Sequence, residues 1–392
     1  MKILVINPGT LPSPALYGGA VETIIDQYTI NQSIDFVIYS QVDNCSFNNY
    51  KKKNVEYRYI YKEKKKGFKF YTFKILNKIF KNYYFGDVYT SSIIKDLKRR
   101  KEKECYDYII IENIPKFVLP FHIFFKKNIV LHQHNNYLNK KSRLNTSIIK
   151  KCSKIITVSN FVKNNIKKNY EKNEITTVYN GVDQEFTKVS NKEITSLKKQ
   201  LGLNESLVFG YVGRLVKEKG VKEILYAFKE IHKKYPNTKL LMVGSQGFAS
   251  NKKTDFIDEC KKIISELDDA VIFSGFIEQK KLHKYYSIID VQLVPSIIDD
   301  ACPMSVLEGM AVGCAQIVTD SGGIPEEVST DSAIIISRNK LIDNLISKME
   351  ILINDEKYRK KLVNNSIKRS KFFTKEIFVK NFLETIVKGG TR

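Results

Sequence analysis

Short aliphatic runs recur along the chain, with polar stretches of helical period between them. Residues 2–7 (KILVIN) are the first, and 36–39, 108–111, 129–132, 155–158 and 175–179 follow in the first half. Runs this short, bounded by turn residues, predict strands buried on both faces, as parallel sheets require. Residues 207–211, 239–244, 271–277, 290–295 and 315–319 repeat the pattern in the second half. Ser159 is placed to cap one intervening helix, and Val221 opens another behind Gly220. Residues 304–312 are apolar along one side, with Pro303 at the start and Gly313 as a C-cap. Strands alternating with helices predict an α/β architecture. A charged connector at 190–204 divides it into domains 1–190 and 191–371. The closing stretch, 372–392, predicts an amphipathic helix over 372–387 with Phe373, Ile377, Phe378, Phe382 and Ile386 on one side.

Length agrees with two domains, since 392 residues exceed one typical core. A 43% apolar fraction is that of a folded globular chain. The run at 3–6 is too short for a signal-peptide core, and nothing approaches a membrane span. The most apolar window, 117–125, is broken by Pro120 and His122. Six cysteines without CxxC spacing indicate neither a disulfide framework nor a zinc site, which fits a reducing cytoplasm.

Charge changes the picture. The net charge is +23, and residues 1–190 carry 33 Lys+Arg against 16 Asp+Glu. Such asymmetry predicts an anionic partner for the first half, either nucleic acid or a membrane surface. Residues 64–86 contain no acid, and Lys74, Lys78 and Lys81 share one helical face while Phe73, Leu76 and Phe80 share another. A basic amphipathic helix with aromatics suits a membrane surface, each lysine adding about 1 kcal/mol near an anionic leaflet. The same spacing suits a helix burying its aromatics on the domain, and both readings stay open.

Four places carry chemistry. Tyr17-Gly18-Gly19-Ala20-Val21-Glu22 follows the first strand, where a glycine turn lets backbone approach a phosphate or sugar. His132 and His134, two of only five histidines, end the strand at 129–132, with Asn135 following. Gly213-Arg214-Leu215-Val216-Lys217-Glu218-Lys219-Gly220 offers a planar fork and a point charge to a diphosphate. No Asp-x-Asp pair is present to hold a metal for that purpose, so no metal or other cofactor is expected. Finally, the strand at 290–295 leads through Asp299 and Asp300 to a helix carrying Glu308. N–H groups at Met304 and Ser305 form an anion site, and acids beside it can grip hydroxyls. Together they suit a nucleotide-sugar.

Asp300, seven residues, then Glu308-Gly309-Met310-Ala311-Val312-Gly313, followed by Gly322-Gly323-Ile324-Pro325-Glu326, resembles the signature of the retaining glycosyltransferases of family four. The Y-G-G-A-V-E turn, Asn180-Gly181-Val182-Asp183 and the 213–220 loop resemble that family's other elements. The resemblance implies a GT-B fold: two facing Rossmann-like domains with a C-terminal crossover helix. It implies a hexosyltransferase binding the donor through Gly18, Gly19, Asn180, Gly181, Arg214, Lys219, Gly244, Ile277, Asp300, Met304, Ser305 and Glu308. His134, with His132 as runner-up, would contact the transferred sugar, Asp300 its hydroxyls, Glu308 the ribose and Ile277 the base. Arg214 and Lys219 would neutralise the leaving diphosphate, so His134, Asp300, Arg214 and Lys219 are the catalytic candidates. The family's Glu-Pro-Phe-Gly opening is replaced by Asp300-Ala301-Cys302-Pro303, a carboxylate one methylene shorter. The expected acceptor is a glycan, linked to a polyprenyl diphosphate at the cytoplasmic membrane face, in surface-polysaccharide assembly. Rivals are a sugar-nucleotide epimerase of the same fold, a non-catalytic relative and a basic nucleic-acid-binding protein. No nucleic-acid module is recognisable, so nucleic acid is not the expected partner.

Overall fold

The computed structural model describes residues 1–42, 52–61, 72, 75, 86–126, 128–171, 174–244 and 255–387. The basic aromatic segment expected at 64–86 lies outside them but for Thr72, Ile75 and Gly86. The chain divides into two compact units, Met1–Asn180 with Glu376–Arg392, and Gly181–Lys375.

The N-terminal unit is built on β1 (Lys2–Ile6), β2 (Asp35–Val42), β3 (Val55–Tyr61), β4 (Tyr108–Glu112), β5 (Ile129–Gln133), β6 (Lys154–Thr157) and β7 (Ile175–Thr177). They form one parallel sheet ordered 3-2-1-4-5-6-7. Ile3–Ile6 lie between β2 and β4 and are fully buried, which is why the segment is a continuous aliphatic run. Helices α1 (Ala20–Tyr28), α2 (Val88–Arg99), α3 (Val118–Phe125), α4 (Arg143–Lys151) and α5 (Asn160–Lys167) connect the strands.

The second unit carries β8 (Leu207–Val212), β9 (Thr238–Val243), β10 (Val271–Gly275), β11 (Val291–Val294), β12 (Ala315–Thr319) and β13 (Ile334–Ile336), parallel and ordered 10-9-8-11-12-13. Its helices are α6 (Asn191–Gln200), α7 (Val221–Lys234), α8 (Asp255–Ser265), α9 (Gln279–Ser287), α10 (Met304–Val312), α11 (Ile324–Glu327), α12 (Leu341–Asn354) and α13 (Glu356–Ser370). Helix α14 (Lys375–Val387) then leads back into the N-terminal unit. In each sheet the winding reverses once, between β1 and β4 and between β8 and β11. Ligands of open parallel sheets bind beyond the strand ends at such a reversal.

Several expectations are corrected. The divisions fall at 180/181 and 375/376, not at 190/191 and 371/372. Val182 N donates to Phe373 O at 2.8 Å and Lys375 N to Val182 O at 2.9 Å, so both crossing segments are bonded into the second unit. The expected connector at 190–204 is largely helix α6, opened by a capping box between Ser190 and Glu193. The strand expected at 271–277 stops at Gly275, and the one at 175–179 at Thr177. Of the apolar face expected at the C-terminus, Phe378, Phe382 and Ile386 are buried, whereas Ile377 is 40% exposed. Phe373 is buried in a 3-10 turn ahead of the helix.

Candidate functional site

At the reversal of the second sheet, the loop after β8 packs on the end of β11. Gly220 sits at φ 72°, and a Cβ there would fall 2.1 Å from Pro295 O, so only glycine permits this approach. Arg214 is exposed and has no ion-pair partner among the described residues. Lys219 Nζ donates to Asp300 Oδ2 at 2.5 Å, and Ser296 Oγ donates to the same oxygen at 2.6 Å. The candidate phosphate lysine and the candidate sugar acid are therefore bonded to each other. Lys219 keeps further N–H donors for phosphate oxygens, and Asp300 keeps Oδ1 for a hydroxyl. Gly322 closes in from the next loop: its Cβ would lie 2.1 Å from Asp300 O, while Gly323 N donates to that carbonyl at 2.7 Å.

Helix α10 begins at Met304 behind Pro303, which is its N-cap rather than its first residue, and no side chain caps it. Its first-turn N–H groups at Met304 and Ser305 thus remain free to meet an anion. A buried cross-strand pair anchors the helix. Gln292 Nε2 donates to Ser305 O at 2.8 Å, and Gln316 Nε2 to Val306 O at 2.9 Å and to Gln292 Oε1 at 2.7 Å. One turn along, Glu308 is 4% exposed. It accepts from Gln279 Nε2 at 2.7 Å and from Tyr286 OH at 2.8 Å. Burial pushes its carboxyl up to about 7, although both hydrogen bonds pull the other way. Gly244 directly follows β9, and its N–H donates to Gly275 O at the end of β10. Ile277 lies half-buried in the turn before α9.

In the N-terminal unit, Gly18 and Gly19 precede α1 at φ 72° and 101°. Glu22 is buried behind them, and burial pushes its carboxyl up to about 7. Asn180 is buried as the last residue of this unit, and Gly181 opens the other. His134 is 8% exposed, and its Nε2 lies 2.7 Å from Glu112 Oε2. His132 Nδ1 lies 3.0 Å from the same oxygen and 3.1 Å from His134 Nε2. Tyr28 OH donates to Glu112 Oε1 at 2.8 Å. Burial alone would raise the Glu112 carboxyl, yet the two imidazoles bring it down to about 2.

Glu112, His132 and His134 are a donor set that could ligate a metal ion. The separations, however, are hydrogen-bond lengths. His132 Nε2 is buried without a partner, and a metal on Nδ1 would leave that nitrogen a proton with nowhere to donate. The cluster fits hydrogen bonding better than ligation. Sequence reasoning missed Glu112, Tyr28, Ser296, Gln279 and Tyr286. Only Glu112 had a signal, as the lone acid closing an aliphatic strand at the ligand edge.

Comparison with known proteins agrees with this layout. Residues 193–369 match the family model of glycosyl transferases group 1, and 62–186 match that of glycosyltransferase family 4. Spore coat protein SA of Bacillus subtilis (strain 168) is 23% identical over 346 residues, covering 84% of this chain and 83% of that one. Lipopolysaccharide 1,2-N-acetylglucosaminetransferase of Salmonella typhimurium is 30% identical over 203 residues, 51% of each chain. HepE of Anabaena, solved in complex with UDP and glucose, superposes with a TM-score of 0.77 at 19% identity, covering 98% of this chain and 99% of that one. The fold is thus that of the GT-B glycosyltransferases, with two Rossmann-like units. The chain is a glycosyltransferase, and it belongs to the group 1 family.

Proposed function

We propose that the chain transfers a hexose, with retention of anomeric configuration, from a nucleoside-diphosphate hexose to a glycan acceptor carried on a lipid. The C-terminal unit takes the nucleotide and the N-terminal unit the acceptor. One observation carries the donor side: at the β8–β11 reversal, Lys219 of the loop that also holds Arg214 is bonded to Asp300, just ahead of the uncapped first turn of α10, the helix that carries Glu308. Cationic and N–H donors there stabilise the charge that grows on the leaving diphosphate. The acceptor hydroxyl attacks from the face the diphosphate leaves, and its proton passes to the departing phosphate. No enzymic nucleophile and no metal is used. The cation Arg214 supplies the neutralisation that a metal gives elsewhere.

Support for a lipid-linked acceptor comes from the acid-free basic segment at 64–86. The similarity to an enzyme named for lipopolysaccharide synthesis points the same way. Among the described residues no helix is long and apolar enough to cross a membrane, so the proposed docking is peripheral, on the cytoplasmic leaflet. A thermal-shift panel of nucleoside diphosphates and nucleotide-hexoses tests the donor, since binding stabilises by mass action. At least one should raise the Tm in the presence of EDTA. Release of free nucleotide only when an acceptor is added separates transfer from epimerisation. For the membrane, Lys74→Glu, Lys78→Glu and Lys81→Glu together should abolish binding to anionic vesicles and spare nucleotide affinity. Vesicle binding equal to the parent's would instead favour a soluble acceptor.

A further inference from the structure

The Glu112 cluster does more than bury three side chains. An ionised carboxylate only accepts hydrogen bonds, so each close partner must bring a proton. Tyr28 brings one to Oε1, and His134 Nε2 and His132 Nδ1 each bring one to Oε2. A bare nitrogen at 2.7 Å from that oxygen would set lone pair against lone pair. His134 therefore carries its proton on Nε2. In the neutral ring the other nitrogen, Nδ1, is then an acceptor, and it has no partner among the described residues. Burial and the neighbouring His132 hold His134 down to about 4, so the ring is neutral near pH 7.

We propose that Glu112 is the positioning residue for His134, fixing its Nε2–H tautomer so that His134 meets its ligand through Nδ1 as a hydrogen-bond acceptor. An acceptor nitrogen selects a hydroxyl and disfavours a phosphate oxygen, which carries no proton to give. His134 accordingly reads a sugar hydroxyl and is no part of the diphosphate clamp. Naming the ligand as a sugar rests on the proposed function; the tautomer does not.

The support of Glu112 comes from four elements. Tyr28 is on α1, Glu112 on β4 and His132 on β5, while Phe382 of α14 lies 4.6 Å from the Tyr28 ring and 4.7 Å from the His132 ring. Lys154 Nζ donates to Thr385 O and Ile386 O, both at 2.6 Å, and so ties down the end of α14. His132 leaves its Nε2 bare in this apolar corner, which costs less than a buried donor would.

The test is long-range 15N–1H NMR of the full chain labelled on histidine, with the His134 signal assigned by its loss in His134→Asn. The inference requires a protonated Nε2 and a bare Nδ1 from pH 8 down to pH 5.5. A protonated Nδ1 at pH 7, alone or as imidazolium, overturns it. This readout needs no substrate, so it stands even if no nucleotide-hexose is turned over, a failure that would count against the proposed function alone. As a second arm, Glu112→Gln should lose the Nε2–H preference and lower kcat about tenfold or more. UDP affinity should stay within about twofold, and Glu112→Asp should restore part of both losses. Unchanged tautomer and kcat in Glu112→Gln would likewise overturn the assignment.

Discussion

Two buried glutamates, Glu112 of the N-terminal unit and Glu308 of the C-terminal unit, are held in opposite ways. Glu112 faces two imidazoles and a phenol, and its carboxyl sits at about 2. Glu308 faces a phenol and an amide, and its carboxyl rises to about 7. Burial opposes the charge in both. Partners that can themselves be cationic outweigh it, and neutral donors do not. The N-terminal carboxylate is thereby a permanent anion that orders its neighbours. The C-terminal one is poised, and further donors such as a ribose diol would complete it.

The contrast can be broken first through the aromatic corner that supports Glu112. Phe382 is fully buried against Tyr28, His132 and Phe378. Phe382→Ala should cost about 3–5 kcal/mol in urea unfolding, and a loss below about 1 kcal/mol would mean α14 is not part of the support. Next is the cation of the C-terminal unit. Arg214→Ala should lower turnover about 10²–10³-fold with Tm unchanged, because the side chain is exposed. A parallel fall in Tm would assign Arg214 to the fold instead.

Proton linkage sharpens the comparison. A carboxyl raised in the folded state stabilises below its unfolded pKa, and that contribution is lost as pH climbs through the folded value. Glu308 therefore removes stability between about 4.5 and about 7, on the order of 3 kcal/mol. Glu112 is lowered, so its contribution is present above about 4.5 and is lost as pH falls toward about 2. His134, lowered to about 4, adds to the same acid limb from about 6.5 downward. Urea midpoints between pH 3 and pH 8 should show Glu308→Gln flattening the upper limb and Glu112→Gln the lower. Both variants flattening the same limb would refute the contrast. The smallest effect is expected at Ile377, which is 40% exposed: Ile377→Ala should stay within about 0.5 kcal/mol of the parent.

Legibility followed burial on both faces. Ile3–Ile6 and Ile109–Ile111 read as strands because nothing polar interrupts them. Edge strand β3, VEYRYIY, alternates tyrosine with charge and escaped notice, as did the three-residue β13. At the site, Asp300 and Lys219 were each legible from motif spacing. Their mutual bond was not, because they are 81 positions apart and meet through turns that depend on Gly220 and Gly322. Glu112 and Tyr28 are 84 positions apart, and no local pattern links them. Pairings set by sheet order are invisible to periodicity.

The central claim is that the β8–β11 edge binds a nucleotide-sugar with separate grips for its two ends. Calorimetric titration of the nucleoside diphosphate and the nucleotide-hexose that raise the Tm most, in EDTA, tests it most directly. Both ligands should bind the parent. Glu308→Gln should weaken both alike, by about 1.5–3 kcal/mol for a lost hydrogen bond to a charged group. Asp300→Asn should spare the nucleoside diphosphate and weaken the nucleotide-hexose alone. Equal loss of nucleoside-diphosphate affinity in the two variants, or nucleotide binding only after manganese is added, would contradict the account.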